Sequence, residues 1–135
     1  METKQKLSPQ FYQNLGKLFY AIAAADKQVR NEEFDTLKDL VKQQWLGINS
    51  DGDEYYNNAV HQMINVFKWL NKNEKLNAKI YFDDFVNYKN EHQNLFTDDN
   101  KKLILKTAHA IAISFSGLNK SELMMLAKLD MELKK

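Results

Sequence analysis

Along this chain, stretches in which apolar residues recur every three or four positions alternate with short polar breaks. Leu15, Leu18, Phe19 and Ile22 repeat at helical spacing, behind Ser8 as a cap and Pro9 at the first helical position. Leu7 can staple onto Tyr12, and the helix is expected to end near Asp26. Ala21 and Ala25 form a small-residue face that another helix can approach closely. A second helix is expected from about Asn31, with Phe34, Leu37, Val41 and Trp45 inward and Gly47 as its stop. Tyr56, Val60, Met63, Ile64, Phe67 and Leu70 form the clearest stripe and predict a third. Leu76 to about Glu91 predicts a fourth, with Ile80 or Tyr81, Phe85 and Tyr88 inward, although Ile80-Tyr81-Phe82 is β-prone. Thr97 caps a fifth that starts with Asp98 and Asp99, carries Leu103, Ile104, Thr107, Ala108, Ile111 and Ala112, and ends at Ser116-Gly117. Asn119 opens a sixth, in which Leu123, Leu126, Ala127 and Met131 recur while Met124, Met125 and Leu129 widen the apolar surface. The expected fold is therefore all-α, a compact single-domain bundle of about six helices.

The chain also resembles itself. At an offset of 89 residues, Ala21-Ile22-Ala23 meets Ala110-Ile111-Ala112, Glu33 meets Glu122, Leu37 meets Leu126 and Leu40 meets Leu129. Each copy reads as a helical hairpin with one turn design: an aliphatic staple (Val29 to Phe34, Leu118 to Leu123) and a Glu at the third helical position. The expected organisation is a first hairpin over about 8–46, central helices over about 52–91 and a second hairpin over about 97–134.

The turn Ala21-Ile-Ala-Ala-Ala25-Asp26-Lys27-Gln-Val29-Arg30-Asn-Glu32-Glu33 resembles the tellurite-resistance TerB-like family. That family's signature is a helix ending in Ala-Asp-Gly, an aliphatic residue, a Ser or Thr cap and a pair of Glu. Ala25, Asp26, Val29, Glu32 and Glu33 carry the match, which covers residues 15–41 and, more weakly, 105–130. Lys27 stands where the family prefers Gly, and Arg30 where it prefers the cap. The resemblance implies an all-α fold of two related halves packed together, in a module associated with bacterial stress responses and membrane-linked signalling. It also allows a divalent-cation role for Asp26, Glu32 and Glu33, since Ca²⁺ or Mg²⁺ takes several oxygens from such a turn. These carboxylates have a structural role as well: Asp26 can satisfy turn amides, and Glu32 and Glu33 favour the positive end of the next helix. The second copy has Phe115 for Asp26 and Ser121 for Glu32, so no symmetric pair of cation sites is expected.

Composition narrows the function further. The 135 residues have a formal net charge of +1 and a single arginine, Arg30, which argues against a nucleic-acid partner. With no cysteine, disulfides and thiolate chemistry are excluded. Met1–Ser8 is polar and charged, and the longest apolar run, Leu18–Ala25, is far short of a bilayer span, so a soluble cytoplasmic protein is expected. The acidic stretch Asn49–Glu54 lacks the spacing of a calcium loop. His61, His92 and His109 show no metal-ligand spacing, His109 is expected to be partly buried, and Ser114 and Ser116 lack a nucleophile context. No catalytic residue and no cofactor beyond the candidate cation is expected. The middle of the chain holds Tyr55, Tyr56, Trp69, Tyr81, Phe82 and Tyr88, more aromatics than a small core needs, and Trp69 and Tyr81 are candidates to bind a protein partner. The expected function is a non-enzymatic interaction or scaffold domain, with self-association open; the alternative is a cation-responsive module built on Asp26, Glu32 and Glu33.

Overall fold

The computed structural model describes residues 9–24, 31–46, 54–72, 78–114 and 120–134, with side chains there except at 9, 31–33, 46, 54–59, 71 and 120–122. These residues form α1 (Pro9–Ala23), α2 (Asn31–Leu46), α3 (Glu54–Lys72), α4 (Ala78–Glu91), α5 (Asp98–Ser114) and α6 (Lys120–Lys134), with a 3₁₀ turn over Gln93–Leu95. Among the described residues the fold is all-α, a six-helix bundle without strands.

α1 is the hub. It touches every other α-helix and packs chiefly on α3 and α4. Its expected stripe of Leu15, Leu18, Phe19 and Ile22 is buried, but so are Phe11, Tyr12, Tyr20, Ala21 and Ala23. Its apolar face is therefore wide, and only a narrow polar stripe of Gln10, Gln13, Asn14 and Lys17 reaches the surface. Gly16 lets α3 come close, because a Cβ there would stand 3.1 Å from Val66 Cβ and 3.2 Å from the Met63 carbonyl oxygen. One turn earlier, Gln13 Nε2 donates to Gln62 Oε1 at 3.0 Å. The helix ends at Ala23, ahead of the expected end near Asp26. Ser8, Ala25, Asp26 and the turn to Arg30 lie outside the described residues.

Local signals placed the other helices well. Asn100 N–H donates to Thr97 Oγ1 at 3.2 Å, the cap expected for α5. Leu37, Val41 and Trp45 of α2 and Val60, Met63, Phe67 and Leu70 of α3 are buried as their stripes predict. The β-prone run in α4 is helical; Tyr81 and Phe82 point inward and Ile80 is exposed. Aromatic rings join the layers: Phe96, after the 3₁₀ turn, lies 5.2 Å from Phe11 and 5.7 Å from Phe85 between ring centroids. Thr107 sits on an apolar face for a reason that periodicity does not reveal. Its hydroxyl accepts the Trp45 indole N–H at 3.1 Å and donates to the Leu103 carbonyl at 2.8 Å, tying α2 to α5.

The offset of 89 recurs in the structure. α1 and α5 start at Pro9 and Asp98, and α2 and α6 at Asn31 and Lys120. Buried Leu15, Leu18, Phe19, Ile22 and Ala23 correspond to buried Ile104, Thr107, Ala108, Ile111 and Ala112. The second helices of the two hairpins diverge. α6 buries Leu126, Leu129 and Leu133, whereas Leu123, Ala127 and Met131, expected inward, are exposed. His109, expected to be partly buried, is exposed, while its counterpart Tyr20 is in the core. The neighbours of the two hairpins differ: α3 packs on both α1 and α2, whereas α5 and α6 share α1, and the Leu123, Ala127 and Met131 row stays exposed.

Candidate interaction surface

The row of α2 that borders α3 contains Lys38 and Lys42, which share a cleft with Val60, His61 and Ile64 of α3. Phe34 lies one turn earlier on the same row, half-buried. Adding 89 gives Leu123, Ala127 and Met131, the exposed row of α6. On the other helix of each hairpin, Gln13 and Gly16 meet α3, and their counterparts are Lys102 and Leu105 of α5. Lys102 and Leu105 line a cleft of about 290 Å³ together with Lys101, Leu133 and Lys134, so the outer flanks of α5 and α6 adjoin. The surface that seats α3 in the first half is thus turned outward in the second. It is also more apolar there, with aliphatic side chains where α2 has Lys38 and Lys42. Met131 is 65 % exposed and Ile113, near the end of α5, 63 %.

On its other flank α6 faces α4 across a groove of about 370 Å³. Phe82 and Val86 of α4 and Met124 and Met125 of α6 supply its apolar lining, with Lys79, Asp83, Lys128 and Glu132 as its charged groups. Glu132 of the groove is held by Lys89 of α4. This lysine is 3 % exposed; its Nζ donates to the Glu132 carbonyl at 2.6 Å and stands 3.6 Å from the Glu132 carboxylate. A buried ammonium needs such partners to remain charged. Met124 is exposed at the edge shared by the groove and the outer face, and methionine adapts to irregular partners.

The residues singled out by sequence are scattered. Asp26 lies outside the described residues; Glu32 and Glu33 stand in the first turn of α2, with side chains outside them too. Among the described residues no three His, Cys, Asp or Glu side chains gather to hold a metal ion. Trp69 is 59 % exposed on α3. Tyr81 is 4 % exposed and sits edge-on to Tyr20, with ring centroids 6.5 Å apart, so it belongs to the core and offers a partner no surface. Burial pushes the Tyr20 hydroxyl up to about 12, with a contribution from Tyr81, and burial followed by Asp84 raises Tyr81. The Tyr81 hydroxyl is buried without a hydrogen-bond partner among the described residues. Tyr55 and Tyr56 lie outside the described side chains. His92 stacks on Tyr88 at 4.1 Å and its Nδ1 lies 3.0 Å from the Tyr88 carbonyl, a donor's position. His61 is on α3 and His109 on α5, so the three imidazoles stand on separate elements.

The outer face of α5 and α6 was not identified by sequence reasoning, although a signal was there. α6 carries Leu123, Met124, Met125, Leu126, Leu129, Met131 and Leu133, more apolar residues than one face can bury. No described helix is long and apolar enough to cross a membrane. Comparison of the chain with models of protein families, with curated proteins and with solved structures finds no match.

Proposed function

We propose that this chain is a non-enzymatic protein-interaction module that seats an amphipathic helix of a partner protein on the outer face of α5 and α6. The observation that carries the reading is the internal comparison. The Phe34, Lys38 and Lys42 row borders α3 in the first half, and its counterpart in the second half is exposed and richer in apolar side chains. A partner helix lying on Leu105, Leu123, Ala127 and Met131 would repeat the α3 arrangement, a helix-in-groove mode of recognition. Lys101 and Lys102 at the rim, beside Asp98, favour a partner helix that carries acidic residues next to its apolar stripe. The resemblance of residues 15–41 and 105–130 to TerB-like modules supports the same class of function and suggests a stress-response or envelope-associated assembly in a bacterial cell.

The test is capture of partners from the native host's lysate by the whole protein and by its Leu123→Lys/Met131→Lys variant. Both positions are exposed, so the variant should melt with the wild type while losing the captured protein. Retained capture by a variant that melts normally would refute the reading. Light scattering over a range of concentrations shows whether the partner is a second copy of the chain, in which case the same variant abolishes self-association.

A further inference from the structure

We propose that the cleft between α2 and α3 binds a phosphomonoester. The cleft has a volume of about 410 Å³ and is lined by Lys38, Lys42, His61, Lys68 and Asn65, with Val60 and Ile64 supplying apolar wall. That size suits a small ligand. Among the described residues its lining contains no carboxylate, unlike the α4–α6 groove with Asp83 and Glu132 and the α5–α6 cleft with Asp98. Several lysines elsewhere are paired: Lys17 with Asp84 at 3.3 Å, Lys79 with Asp83 at 3.3 Å, Lys134 with Asp130 at 3.1 Å. Among the described residues neither Lys42 nor Lys68 has a carboxylate within 4.0 Å. Lys38 pairs with Asp35 at 3.4 Å, but that carboxylate is 73 % exposed, and a screened surface pair yields readily to a stronger anion.

The arrangement selects the ligand class. Lysines from two helices line one cleft, and an ammonium binds phosphate as a point charge. A phosphomonoester carries nearly two negative charges and three acceptor oxygens, enough to engage several ammonium groups together. His61 adds an N–H donor in either of its neutral tautomers, and the Asn65 amide adds another. Val60 and Ile64 offer an apolar surface to the carbon skeleton that the phosphate esterifies. α3 contributes to the field as a whole, for after Glu54 it has no acidic residue through Lys72.

The probes are inorganic phosphate and glycerol 3-phosphate, titrated into the ¹⁵N-labelled full chain at constant ionic strength with chloride as the control anion. Vesicles of phosphatidylcholine with and without phosphatidic acid form a second arm. Saturable amide shifts centred on Lys42, His61 and Lys68 with the soluble esters identify a metabolite as the source. Binding seen only with phosphatidic acid vesicles identifies a lipid headgroup. In either case Lys42→Gln/Lys68→Gln weakens binding at least about tenfold with an unchanged melting midpoint, while Lys101→Gln/Lys102→Gln leaves it intact. Shifts that merely follow ionic strength, shifts that persist in Lys42→Gln/Lys68→Gln, or silence in both arms overturn the assignment.

Discussion

Lys89→Met removes the one buried ammonium that joins α4 to α6 and keeps most of the side-chain volume. It deletes a 2.6 Å charged hydrogen bond to the Glu132 carbonyl and leaves the Glu132 carboxylate without the cation 3.6 Å away. Removing one member of a buried pair costs roughly 3–5 kcal/mol. Glu132 is 20 % exposed, so water relieves part of that, and about 3 kcal/mol is the working figure. At roughly 2.1 cal/mol/K per residue, 135 residues give an unfolding entropy of about 0.28 kcal/mol/K, and the midpoint falls by about 10 °C. Glu132→Gln added to Lys89→Met removes the stranded charge and recovers roughly 1 kcal/mol, or about 4 °C. Thermal and urea unfolding followed by circular dichroism measure both, with an unchanged urea slope showing that the unfolded state is the same. A single variant melting within about 3 °C of wild type would show that the contact does not hold α4 to α6. A double variant no more stable than the single one would show that the stranded carboxylate is not the source of the loss.

Gly16→Ala should gain about 1 kcal/mol in helix propensity and lose roughly 1–3 kcal/mol to overpacking, because two of the three closest atoms belong to the Met63 backbone. A net loss in urea unfolding is expected, and a more stable Gly16→Ala would mean that α3 moves aside at little cost. Stability should also fall between pH 10 and 12. The folded Tyr20 hydroxyl titrates at about 12 against 10 when unfolded, so the unfolded chain binds fewer protons in that window, and stability fully present below pH 10 drops by roughly 2–3 kcal/mol. Tyr20→Phe should flatten that limb of the pH–stability curve; an unchanged limb assigns the loss to other groups.

Helix positions were legible because their causes are local. Thr97 and the carboxylates after it mark the start of α5 whatever packs above. The single apolar stripes of α2 and α3 left one choice of inner face, and Leu37, Val41, Met63 and Phe67 took it. The offset of 89 residues was readable too, since Leu15, Phe19 and Ile22 and their counterparts Ile104, Ala108 and Ile111 are buried alike. The candidate site was less legible. Trp69 is on the surface as a recognition residue must be, but Tyr81 is not. Its neighbour Ile80 is as apolar, and only the approach of α1, bringing Tyr20, decides which of the two turns inward.

Sequence by itself therefore determined six helices, their boundaries to within about a turn and a repeat, all set by interactions a few residues apart. Tertiary structure alone decided which of two apolar faces α6 buries, that α1 touches every other α-helix, that Gly16 is where α3 comes close, and that Lys42 and Lys68 share a cleft. Each of these depends on which helix stands opposite, and residues far apart in the chain make that choice. The outer face of α6 looks inward-facing in the sequence because it is apolar. It is exposed because, among the described residues, no helix borders it as α3 borders the Phe34, Lys38 and Lys42 row.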